Sequence, residues 1–166
     1  MSSCYWITGL SATGKTTMSS LLADHLRSSG KVVILFDGDE LREVFAHKSY
    51  TREERIAKGM QYSRLCQLVN SQGVDVIIAV IGLFKEIHTW NRNNIPGYVE
   101  VFIDTPLYEL ERRDPNGIYK SYHDGEIDNV AGIDLSVDFP ENPDILIKWS
   151  KGRSVDSMFD ELIKKI

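Results

Sequence analysis

Residues 9–16, Gly-Leu-Ser-Ala-Thr-Gly-Lys-Thr, constrain the fold more than any other stretch. They satisfy G-x-x-x-x-G-K-[ST], and they stand where the pattern has physical meaning, after the apolar run CYWIT and before the helical MSSLLADHL. Gly9 and Gly14 let the backbone curl so that the N–H groups of Ser11, Ala12 and Thr13 point inward at phosphate oxygens. The N-terminus of the following helix adds partial positive charge there. Lys15 is expected to reach the terminal phosphates, the Thr16 hydroxyl to ligate Mg²⁺, and Thr17 to complete the phosphate-binding turn. A nucleoside triphosphate with Mg²⁺ is the implied ligand.

Short β-branched runs, CYWIT, VVILFD, VDVIIAVI, YVEVFID and DILIKW, alternate with helical periods. In KTTMSSLLADHLRSSG, Met18, Leu21, Leu22 and Leu26 form one apolar stripe and Gly30 is a terminator. Further helices are expected around KEIHTWNRN, from TPLYELERR with Thr105 as cap and Pro106 as first helical residue, and in VDSMFDELIKKI behind Ser154. In TREER, Thr51 and Glu54 have capping-box spacing. This pattern predicts an α/β fold: a three-layer P-loop NTPase with a five-stranded, mostly parallel sheet, helices on both faces and a mobile lid. A chain of 166 residues suits one domain, with residues 114–143, which fit neither period, as the lid and the loop to the last strand.

Acidic residues outnumber basic ones 24 to 19, which argues against a nucleic-acid partner held by broad phosphate neutralisation. The longest apolar run, VIIAVIGLF, is about half the ~20 residues that span a bilayer, so no membrane partner is expected. With no leader-like start and with Cys4 and Cys66 both in apolar patterns, a cytoplasmic protein with two buried thiols is expected. The scattered His25, His47 and His88 read as structural or surface residues, while His123 lies in the lid.

At the end of the second strand, FDGDELR places Asp37 and Asp39 at the edge where open α/β sheets bind ligands. Asp37 or Gly38 can cap the ensuing helix, with Arg42 one turn along it. Asp39 is the candidate general base, accepting a proton from an attacking hydroxyl while holding Mg²⁺.

Taken in order, WITGLSATGKTT, DGDELR, YTREER, VEVFIDTPLYELERRDPNGIYK, GEIDNVAGID and PENPD resemble the adenylylsulfate (APS) kinase family over nearly the whole chain. The resemblance implies transfer of the ATP γ-phosphoryl group to the ribose 3'-hydroxyl of a small anionic nucleotide, and it implies a homodimer. By position it assigns Asp39 and Lys15 to catalysis and Arg113 to the ATP side of the lid. It assigns Asp37, Arg42, Tyr50, Arg55, Lys58, Lys120, Val130, Gly132 and Ile133 to the acceptor.

The departures from the family gather in the acceptor half. Val130-Ala131-Gly132 stands where the family reads Phe-Thr-Gly, removing one of two aromatic faces for adenine and leaving Tyr50 as the other. Ala57 to Met60 replace a Glu-Asn-Ile-Arg run, Asn116 replaces a lid lysine, and Gly82-Leu83 replaces Ser-Pro. The first strand also opens the chain where the family commonly carries an extension. Adenylylsulfate is the acceptor implied by overall resemblance, and a cytidine diphosphate-linked acceptor, as used by cytidine diphosphoramidate kinase, is its rival. A nucleoside monophosphate or sugar kinase is disfavoured by RDPNGIYK and PENPD. A non-catalytic nucleotide-binding module is disfavoured by intact Lys15, Thr16 and Asp39.

Overall fold

The computed structural model describes residues 2–166. Five strands form one sheet in the order β2-β3-β1-β4-β5: β1 (Cys4–Thr8), β2 (Val33–Asp37), β3 (Asp75–Val80), β4 (Tyr98–Asp104) and β5 (Ile145–Lys148). Every pairing is parallel, with Thr8 opposite both Val80 and Phe102, so the carboxyl ends of the three central strands finish at one edge. The sheet is thus wholly parallel where the sequence predicted mostly parallel.

Its two faces are buried by different helices. Tyr5, Ile7, Ile77, Val101 and Ile147 pack against Met18, Leu22 and Leu26 of α1 (Lys15–Ser28) and Met158 and Leu162 of α7 (Val155–Lys165). Cys4, Trp6, Val76, Ile78 and Phe102 pack against Tyr62 and Cys66 of α3 (Arg52–Asn70) and Ile87 of α4 (Lys85–Asn94). Alternation along β1, with Trp6 on one side and Ile7 on the other, makes both layers necessary. Cys4 and Cys66 are free and buried, and the thiol of Cys66, hydrogen-bonded to Cys4, is pushed well up.

The local chemistry of the helix starts explains what they carry. Asp37 caps α2 (Gly38–Val44), its carboxylate accepting from the Asp39 N–H at 2.8 Å. Thr51 and Glu54 form the expected capping box on α3, and Ser154 caps α7. For α5 (Leu107–Arg113) the cap is Pro106 and not Thr105, whose buried hydroxyl has no partner. Pro106 has an extended ψ of 141°, so the helix starts one residue later than predicted.

Residues 114–143 are more ordered than their missing periodicity suggested. They contain α6 (Ile118–His123), whose Tyr119 and Lys120 N–H groups donate to the Asp114 carboxylate at 3.2 and 2.9 Å. Asp134 then closes a turn by accepting from the N–H groups of Asn129 and Val130. Asp138 ties the segment to α3 and α4 through Arg52 (2.7 Å) and the Lys85 N–H (3.1 Å). No helix among the described residues is long and apolar enough to cross a membrane.

Candidate active site

The loop between β1 and α1 is shaped by steric necessity. A Cβ on Gly9 would lie 2.8 Å from the Ile103 carbonyl oxygen, and Gly14 sits at φ 92° as the cap of α1 with no side chain covering the helix N-terminus. Lys15 folds back, its Nζ donating to the Leu10 carbonyl at 2.7 Å, and Thr13 donates to the same oxygen at 3.0 Å. Burial pulls the Lys15 ammonium down to about 8 against the opposing pull of Asp39 and Asp37. An ammonium so desolvated gains by meeting phosphate oxygens.

Beside it, the Thr16 hydroxyl donates to Asp37 Oδ2 at 2.7 Å. No group of three or more His, Cys, Asp or Glu side chains able to hold a metal occurs among the described residues. The donor set nevertheless fits Mg²⁺, which takes one or two protein oxygens and completes its shell with water and phosphate. The Thr16 hydroxyl and the adjoining Asp37 and Asp39 carboxylates would hold it.

A cavity of about 690 Å³ opens from this loop towards α2 and α3. It brings together Ser11, Ala12, Gly14, Lys15, Thr16 and Thr17 with Asp37, Asp39, Arg42, Arg55 and Lys58. Asp39 is ion-paired to Arg42 at 2.9 Å. Arg55 donates to the Asn129 carbonyl at 2.7 Å, its Nε is buried without a partner, and its pKa is lowered by burial and then by Arg42. Burial, then Arg42 and Arg55, bring Lys58 down to about 8. Cations crowded at such cost mark a place built to receive negative charge.

Other residues expected in the site lie elsewhere. Tyr50 is 60% exposed and does not line the cavity. Val130 is buried in the core with Ile133 packed against it, because an aliphatic side chain in that turn gains more from the apolar layer than from the cavity wall. Gly132, at φ 84°, lets the turn press on Leu10, where a Cβ would come within 2.8 Å, and lines with Thr13 a smaller recess of about 310 Å³. Lys120 is ion-paired to Asp124 on the exposed side of α6. His123 pairs with Glu111 at 2.9 Å, away from the cavity.

Arg113 stands behind the loop, donating to the Ala12 carbonyl at 3.2 Å and stacking on Trp149 at 5.5 Å. Glu109 orients it, its carboxyl held down to about 2 by Arg112 and Arg113.

Sequence reasoning missed several neighbours, among them Phe84 and Ile118 on the cavity wall. Tyr119 donates its hydroxyl to the Ser11 carbonyl at 2.9 Å and so seats α6 on the loop. Glu43 and Tyr62 line the cavity. The signal for both was helical spacing from Asp39 and Arg55.

A phosphate cradle at the carboxyl edge of a parallel sheet, open to a cationic cleft, is the architecture of the P-loop phosphotransferases. Residues 1–148 match the profile of the adenylylsulphate kinase family. The chain is 37% identical over 161 residues to a cytidine diphosphoramidate kinase of Campylobacter jejuni, covering 97% of this chain and 94% of that one. It is 36% identical over 144 residues to an adenylyl-sulfate kinase of Clostridium kluyveri, covering 86% and 72%. Among solved structures it superposes on the APS kinase CysC of Mycobacterium tuberculosis, in complex with AMPPNP and APS, with a TM-score of 0.89 at 32% identity, covering 99% and 96%. The chain belongs to the adenylylsulphate kinase family, and it is an ATP- and Mg²⁺-dependent kinase acting on a hydroxyl acceptor.

Proposed function

We propose that the acceptor is a small nucleotide with an anionic 5' tail, phosphorylated on its ribose 3'-hydroxyl, and that Asp39 is the base. The observation that carries this reading is the shared cavity: Asp39 faces it with Arg42, Arg55 and Lys58, next to Lys15 and Thr16. The cations hold the tail and place the hydroxyl between Asp39 and the γ-phosphorus. As the hydroxyl oxygen bonds to phosphorus, the bond to the β–γ bridging oxygen breaks, ADP leaves, and the hydroxyl proton passes to the Asp39 carboxylate. Lys15 and the α1 N-terminus neutralise charge on the transferred group. Thr16 and the aspartates would hold Mg²⁺, which when bound would add further neutralisation. Gly9, Ser11, Ala12, Thr13, Gly14 and Thr17 shape the cradle, and Arg113 borders the ATP side.

Of the two acceptors borne by relatives' names, cytidine diphosphoramidate is favoured. The match to that relative runs nearly end to end, and Val130 lies in the core at 5% exposure, so it offers no face to an adenine. Adenylylsulfate is the second reading, favoured by the superposition on the APS-bound kinase. ADP release with MgATP and each acceptor in turn tests both, and release with neither would refute the proposal. A cytoplasmic setting, where ATP is available, and a homodimer complete the reading, and light scattering tests the dimer.

A further inference from the structure

The acceptor cavity lies between two helices of unlike character. On α2, Asp39, Arg42 and Glu43 share one face by their i, i+3, i+4 spacing. Across from them α3 presents Arg55, Lys58 and Tyr62. Most of this charge is engaged within the protein, Asp39 with Arg42 and Arg55 with the Asn129 carbonyl. Among the described residues, the side chains of Lys58 and Glu43 have neither an ion pair nor a hydrogen bond, although both line the cavity. A free ammonium in an anion site needs no explanation. A free carboxylate there does, since it repels the charge that its neighbours attract.

Glu43 stands one helical turn beyond Asp39, about 6 Å along α2, and next to Arg42. A ribose hydroxyl delivered to Asp39 leaves its 5' tail to run along the cavity that Glu43 and Lys58 both line. We propose that Glu43 is a specificity-determining residue that selects acceptors whose tail ends in an N–H donor, a phosphoramidate, over those ending only in anionic oxygens. The P–NH₂ nitrogen donates to the Glu43 carboxylate while the tail oxygens accept from Lys58. A terminal oxygen in the nitrogen's place turns that hydrogen bond into repulsion between like charges. Because Glu43 is exposed, water screens the contrast to about tenfold. The inference rests on the reading of this cavity as the acceptor site.

The test measures kcat/KM for cytidine diphosphoramidate, cytidine diphosphate and adenylylsulfate at saturating MgATP in the wild type, Glu43→Gln, Glu43→Ala and Lys58→Met. The wild type should prefer the amidate to cytidine diphosphate by about tenfold, and both Glu43 variants should shrink that ratio to within about threefold. Lys58→Met should weaken both acceptors and keep their ratio. The KM for MgATP and the melting temperature, held near wild type, report that each variant folds. Wild-type turnover with an unaltered ratio in both Glu43 variants, or a wild-type preference for either oxygen-only tail, overturns the assignment to Glu43 alone. No turnover by the wild type with any of the three overturns the acceptor reading itself, and this inference with it.

Discussion

The donor and acceptor halves of the cleft are built by opposite means. The ATP side is one unbroken stretch, Gly9 to Thr17, whose geometry is fixed by its main chain, glycine conformations and a half-buried lysine folded back on Leu10. The proposed acceptor side is gathered from isolated side chains on two helices, and its shape depends on which residue occupies each helical position. A backbone-made site tolerates little change. A side-chain-made site can be retuned one residue at a time, and the departures from the family lie there.

Removing charge from the donor half should have the largest effect. Lys15→Met is expected to lower kcat by about 10²–10³-fold, read by ADP release. It should also raise the melting temperature at pH 7. The folded-state pKa of Lys15, about 8, lies below its usual value of 10.5, so the buried charge costs stability below pH 8, and the cost fades as pH rises towards 10.5. A lower melting temperature at pH 7 would contradict that account.

Asp39→Asn stands at the junction of the halves. Turnover should fall by about 10²–10⁴-fold while equilibrium binding of a non-hydrolysable ATP analogue is retained. Undiminished turnover would mean that another group takes the proton.

In the acceptor half, Arg55→Ala should raise the acceptor KM by about tenfold or more and leave the ATP KM within about twofold. Equal shifts in both would dissolve the division between the halves. A smaller signal is protonic. Lys58 titrates near pH 8 in the free protein, and a bound anion favours its charged form, so acceptor binding at pH 8 should take up protons and weaken above that pH. Calorimetry in buffers of different ionisation enthalpy would show the uptake, and Lys58→Met should abolish the acceptor-linked part. The smallest effect is mechanical: Thr51→Ala, which removes the cap of α3, should cost about 1 kcal/mol in denaturant unfolding without changing the ratio of acceptors.

The same contrast explains what could be read from the sequence. The strands, the phosphate loop and the caps of α3 and α7 are local patterns, legible because their causes lie within a few residues. Only the start of α3 was legible, since its remaining apolar residues are shared between α4 and the sheet and leave no clean stripe. Val130 was carried to the acceptor by its place in a family motif, whereas the fold buries it in the core. Glu43, Tyr62 and Tyr119 have no motif at all. Their importance arises from what the fold sets opposite them: the cavity for the first two and the Ser11 carbonyl for the third.

Asp37 belongs to both halves, one carboxylate oxygen accepting from Thr16 and the other from the Asp39 amide in the first turn of α2. A lineage acquiring a new acceptor would therefore find this position closed to experiment, since any replacement disturbs the nucleotide loop and the helix bearing Asp39 together. Inherited change is channelled to the outer turns of α2 and α3, where a novel substrate can be tried without forfeiting the old fuel.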